Sequence, residues 1–139
     1  MAAHLIVDGH NVIFCGDRYA DAYGKNPQGT REKLMRDLAA FGARKGYRVT
    51  VAFDSGKGGG FSRGHEEMHG VSARYSRGGE PADAVIEEML QTMPRGEAVF
   101  VASNDRGVQA SARAAKAQVW TAEQLLSKIG PNRGAPKPF

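Results

Sequence analysis

Three acidic residues stand just beyond short apolar runs: Asp8 after Leu5-Ile6-Val7, Asp54 after Val51-Ala52-Phe53, and Asp105 after Val99-Phe100-Val101-Ala102-Ser103-Asn104. Apolar or β-branched runs that end at Gly, Asp, Asn or Ser read as buried strands terminating there. If the strands are parallel, their carboxyl ends share one rim, the edge at which open α/β sheets bind ligands. Carboxylates gathered on such a rim repel one another unless a cation joins them, so the pattern predicts a divalent metal site.

The chemistry suited to that arrangement is phosphodiester hydrolysis. It requires a water made nucleophilic near neutral pH and a cation that offsets charge on the non-bridging oxygens. Mg²⁺ takes oxygen ligands, often one or two carboxylates with water and substrate phosphate, and Mn²⁺ accepts a similar set. Asn11 could orient a water or a phosphate, and Arg31 could hold a phosphate by two hydrogen bonds. Each residue also has a plainer role open to it. Asp8-Gly9 and Asp54-Ser55-Gly56 are turn sequences, Asp105 could cap a helix, and Arg31 could be a solvated helix residue. It is the joint placement of the acids that favours a site.

The elements that would position these residues alternate in type. Strands are expected at His4 to Asp8, Tyr47 to Asp54, Val71 to Tyr75, Ala98 to Ala102 and Gln118 to Trp120. Helices are expected at Thr30 to Lys45, with Thr30 as cap and Gly46 as stop, from Pro81 until Pro94, at Arg106 to Lys116 and at Thr121 to Ile129. Alternation with helical crossovers implies a three-layer α/β/α sandwich around a mainly parallel five-stranded sheet. An order of about 3-2-1-4-5 puts the strands carrying Asp8 and Asp105 side by side at the reversal point. Asp83 would join them from the first turn of the second helix, with Glu87 one turn later on its face. Residues 1–129 form one domain in this reading, and 130–139 a basic tail too rich in Gly and Pro to pack.

Composition fits a single globular domain: 139 residues, 41% apolar and 24% charged. The net charge of +4 is uneven, because the segment from Arg106 onward carries six basic residues against one acid while the rest of the chain is close to neutral. A basic flank beside an acidic rim suits a polyanion, although a solvated tail would look the same. No apolar run approaches the about 18 residues that span a bilayer, and Met1-Ala2-Ala3-His4 has no basic n-region, so export is not expected. Cys15 is the lone cysteine, compatible with a reducing cytoplasm.

Other motifs fit less well. His65-Glu66-Glu67-Met68-His69 matches the H-E-x-x-H of zinc proteases, but Gly64 and Gly70 leave barely one turn, and Ser72 and Tyr75 stand where an extended motif needs Gly and His. A surface turn with two solvated histidines is expected. The glycines at 56–60 lack the phosphate-loop pattern, so no nucleotide cofactor is expected, though backbone amides there could meet an RNA phosphate. Tyr19, Tyr23, Phe61 and Trp120 could stack on bases or simply pack. A phosphatase-like reading is disfavoured because Asp8 is followed by Gly9-His10 and lacks an Asp-x-Asp pair.

Val7-Asp8-Gly9-His10-Asn11-Val12-Ile13 resembles the opening signature of NYN-domain proteins, the YacP-like branch of the PIN-like nucleases. The resemblance continues through Arg31-Glu32-Lys33-Leu34, Val51-Ala52-Phe53-Asp54, Glu80-Pro81-Ala82-Asp83-Ala84-Val85-Ile86-Glu87 and Ala102-Ser103-Asn104-Asp105-Arg106. It implies a PIN-like fold and a cytoplasmic, metal-dependent endoribonuclease that uses Mg²⁺ or Mn²⁺ on single-stranded RNA, leaving 5′-phosphate and 3′-hydroxyl ends. Asp8, Asp83 and Asp105 would be the acidic core, with Asn11 beside them in catalysis. Arg31, Ser103, Asn104 and Arg106 would handle RNA phosphates, and Asp54, Glu80 and Glu87 are secondary candidates. RNA is the implied partner, with a ribosome or other RNA assembly as its possible carrier. Ala84 departs from the family pattern, which commonly has a second acid there, so a catalytically weakened RNA-binding module is the alternative reading.

Overall fold

The computed structural model describes residues 3–55, 64–94 and 96–130. The glycine stretch 56–60, Phe61 and the tail beyond Gly130 lie outside them. The chain runs β1 (Ala3–Asp8), α1 (Gly9–Ile13), α2 (Ala20–Lys25), α3 (Pro27–Lys45), β2 (Tyr47–Phe53), β3 (Gly64–Met68), β4 (Val71–Tyr75), α4 (Ala82–Thr92), β5 (Val99–Ala102), α5 (Arg106–Ala114), β6 (Gln118–Trp120) and α6 (Ala122–Ile129). The sheet order is β3-β4-β2-β1-β5-β6, and every pairing is parallel except the antiparallel β3 with β4.

The five expected strands therefore occur in the expected order, with a sixth added at the edge. That strand is the H-E-x-x-H segment, which forms an exposed antiparallel partner to β4 rather than a lone turn. His65, Glu66 and Glu67 are polar and exposed and only Met68 is apolar, so no apolar period marked it as a strand. His69 lies in the following turn with φ 56°, and the two histidines share no helix.

Side-chain alternation along the central strands builds two cores. Leu5, Val7, Val51 and Phe53 meet Leu34, Leu38, Phe41 and Leu125 on one face. Ile6, Ala52 and Val101 meet Val85, Ile86, Met89 and Val108 on the other. β1 is covered on both sides, which is why it reads as an unbroken apolar run. Helices thus flank the sheet in three layers, and among the described residues no helix is long and apolar enough to cross a membrane.

Helix ends fix where the rim residues sit. α3 starts earlier than Thr30: Asn26 accepts from the Gly29 N–H at 3.0 Å and Pro27 takes the first helical position. Thr30 is buried and its hydroxyl bonds back to the Asn26 carbonyl at 2.9 Å, so it cannot serve as the cap. Gly46 ends α3 in the left-handed region at φ 73°. Pro81 is the residue before α4 rather than its first turn, and Thr121 with Gln124 closes a capping box on α6.

Candidate acidic site at the carboxyl rim

Because β1, β2, β4, β5 and β6 are parallel, their carboxyl ends emerge on one rim. Asp8 closes β1 at the centre, and Ser103 follows β5, its immediate neighbour. Ser103 is fully buried and donates from Oγ to Asp8 Oδ2 at 2.8 Å, while that same Oγ accepts the Asp105 backbone N–H at 3.0 Å. Gln109 in turn donates to the Ser103 carbonyl at 2.8 Å. One hydroxyl therefore ties the end of β1 to the start of α5.

Asp105 is exposed and caps α5, accepting the Val108 N–H at 3.0 Å. The capping role raised as its plainer reading is thus real, and it leaves the second carboxylate oxygen for other work. Asp83 sits half-buried in the first turn of α4, a helix whose start has no side-chain cap. Both acids bear on Asp8. Its carboxyl is pushed up to about 6, chiefly by burial and further by the negative charges of Asp105 and Asp83, with the Ser103 hydrogen bond opposing.

Asn11 projects from α1 and accepts the Asn104 N–H at 2.8 Å. The Asn104 side chain is itself held, accepting from the Ala122 N–H and donating to Glu123, each at 2.9 Å or less. That bond keeps the Glu123 carboxyl low. Arg106, the first residue of α5, is exposed.

On the other side of α1, His10 Nδ1 accepts the Asp54 N–H at 3.3 Å, and Nε2 meets the Tyr23 hydroxyl at 3.2 Å. Arg31 donates to that hydroxyl at 3.1 Å and lies over the rings of Tyr23 and Phe53. Burial and the Arg31 charge both lower the His10 pKa. Arg31 Nε is buried without a hydrogen-bond partner. Gly9 makes this packing possible, since a Cβ there would lie 2.5 Å from Phe53 Cε1 and 2.9 Å from Val51 Cγ1.

Two secondary candidates are engaged elsewhere. Glu87 accepts from Ser111 at 3.2 Å on the α4–α5 face, and Glu80 accepts the Arg77 N–H at 3.2 Å within its own turn. A hollow of about 550 Å³ also lies between α4 and α5, lined by Glu87, Leu90 and Ser111. Of the aromatic candidates, Tyr19 is buried with its hydroxyl on Asp37 at 2.5 Å, and Trp120 packs against Phe100. Gln109 and Glu123, which hold Ser103 and Asn104, were missed: polar helix residues carry no sequence signal of their partners.

The model of the YacP-like NYN domain matches residues 5–135. Among solved structures the chain is similar to Rae1 (YacP) from Bacillus subtilis, with 26% identity and a TM-score of 0.75 over 93% of this chain and 74% of that one. A tryptophan-to-leucine variant of that protein gives 25% identity and a TM-score of 0.77, over 91% of this chain and 74% of that one. No curated protein matches the chain.

Proposed function

The chain belongs to the YacP-like NYN domain family, and from that premise we propose that it is a metal-dependent endoribonuclease acting on single-stranded RNA. The observation that carries the reading is the state of Asp8: a carboxyl at the end of the central strand, pushed up to about 6 by burial and by Asp105 and Asp83. A buried carboxyl whose charged form is opposed by neighbouring carboxylates also favours a cation.

The donor set fits Mg²⁺ or Mn²⁺, because Asp8, Asp83 and Asp105 offer only oxygen. Among the described residues no three His, Cys, Asp or Glu side chains lie as a closed set of ligands. A cation would therefore be held as Mg²⁺ often is, by one or two carboxylates with water and substrate phosphate completing the set. When bound, it would neutralise phosphate charge and make water acidic enough to attack at neutral pH.

The remaining roles belong to the protein. Ser103 fixes the Asp8 carboxyl through Oδ2, and that carboxyl would be one of the groups holding the cation. Asn11 and Asn104 brace α1 against the turn that carries Asp105. Arg106 is the exposed cation beside that turn and would meet RNA phosphate, while Arg31, held by Tyr23, would do so across α1. Water adds to phosphorus as the bond to the 3′ oxygen breaks, giving 3′-hydroxyl and 5′-phosphate ends. Asp54 acts through its backbone N–H on His10. Residues 1–129 would be the working domain, in the cytoplasm, with 130–139 a basic arm for RNA or a ribosome.

Ala84 motivates the second reading, a module that binds RNA and cuts it slowly, because it leaves Asp83 without an adjoining acid. Incubating the protein with end-labelled single-stranded RNA in Mn²⁺ and in EDTA separates the two. Metal-dependent internal cleavage supports the nuclease, binding without cleavage supports the weakened module, and equal cleavage in EDTA refutes metal dependence.

A further inference from the structure

Phe14 is the exposed large hydrophobic residue among those described, 56% open to solvent. It follows α1 directly, one helical turn beyond His10, and α1 itself starts where β1 delivers Asp8. The ring is held on two sides. His10 stacks on it at 6.2 Å with the planes 21° apart, and Tyr23 meets it edge-on at 5.0 Å. His10 and Tyr23 are fixed in turn by Phe53 and Arg31. An exposed side chain is usually mobile, whereas this one belongs to a five-residue aromatic and cationic stack rooted in the core.

The hydrogen bonds define what that stack offers. The Asp54 N–H requires a lone pair on His10 Nδ1, so a neutral imidazole carries its proton on Nε2 and donates to Tyr23 Oη. Arg31 donates to the same oxygen. With two donors aimed at it, the phenol keeps its own proton for an outside acceptor.

We propose that Phe14, braced by His10 and Tyr23, is a stacking platform for one unpaired base of the RNA, with the Tyr23 hydroxyl as a donor at its side. The proposal rests on the ribonuclease reading and names a subsite of it. A nucleobase is the occupant that suits the surface: one flat apolar ring, a free O–H donor and the Arg31 charge beneath, next to a rim that handles phosphates. Among the described residues no other large hydrophobic side chain is exposed, so Phe14 does not belong to the broad apolar patch that a protein partner would cover. Asn11 and Phe14 stand three residues apart on α1 and its C-terminal cap, the first bonded to Asn104 and the second packed on Tyr23. A strand crossing the acidic rim would meet both.

The test uses a single-stranded RNA oligonucleotide carrying 2-aminopurine, bound in EDTA and followed by fluorescence over a range of salt. Wild type should quench the probe. Phe14→Ala should bind about tenfold more weakly, lose the quenching and keep the wild-type salt slope, since no phosphate contact is removed. Phe14→Trp should restore both affinity and quenching, which a merely structural defect would not allow. Phe14→Ala with affinity within twofold of wild type, or failure of Trp to restore it while wild type still cuts RNA in Mn²⁺, overturns the platform alone. A wild-type protein that neither binds nor cuts RNA overturns the platform and the ribonuclease reading together.

Discussion

Ser103 Oγ sits 2.8 Å from Asp8 Oδ2 across the junction of β5 and β1, joining residues 95 positions apart. The serine is fully buried, and its hydroxyl has one proton to give and lone pairs to share. The proton goes to Asp8 and a lone pair to the Asp105 N–H. Two of the three acids of the rim are therefore positioned by one side chain that carries no charge.

Ser103→Ala removes both bonds and leaves the Asp105 N–H without its acceptor. The expected cost is about 1–3 kcal/mol of folding stability, read as a lower midpoint in urea. Cleavage should fall further than stability explains, because Asp8 loses the bond that favours its charged form. Ser103→Thr, if it keeps the hydroxyl in place, should recover most of the stability.

The raised Asp8 carboxyl predicts a pH dependence for the metal-free protein. A group whose folded pKa lies above its unfolded value contributes stability below the unfolded value, near 4, and loses it as pH rises through about 6. Metal-free wild type should thus weaken relative to Asp8→Asn between pH 4 and 7, by up to ~3 kcal/mol. Thermal melting of both proteins in EDTA across that range checks it. Parallel curves would show that Asp8 carries no such strain, and Mg²⁺ should narrow the gap at pH 7 in the wild type.

Gly9→Ala places a methyl group 2.5 Å from Phe53, whose ring is fully buried and cannot swing away. Overpacking of this kind costs about 1–3 kcal/mol. Phe53 also contacts His10, so the Tyr23–His10 arrangement should shift with it. A lower melting temperature with altered Tyr23 and His10 NMR signals is expected, and an unchanged melt would show that the strand and helix part easily.

Strands that are covered on both faces were the most readable part of the fold, since burial forces Leu5-Ile6-Val7 and Val51-Ala52-Phe53 to be apolar throughout. Their order followed from the crossovers. α1 and α2 escaped because five or six residues are too few for a helical period, and β3 because His65, Glu66 and Glu67 are all exposed. At the site, strand ends announced Asp8 and Asp105, and a helix start announced Asp83. The Asp8–Ser103 and Asn11–Asn104 bonds were not legible. They join segments more than 90 residues apart, and sequence spacing says nothing of which hydroxyl meets which carboxylate.

If the acidic rim cuts RNA with a divalent cation, Asp8→Asn is the substitution that must stop it. Cleavage of labelled single-stranded RNA in Mn²⁺ and binding of the same RNA should be measured side by side for wild type and variant. Asp8→Asn should lose cleavage while its RNA affinity stays equal or rises, because a ligand oxygen and a negative charge are removed together and the phosphate contacts remain. Cleavage by Asp8→Asn at the wild-type rate would contradict that role for the rim.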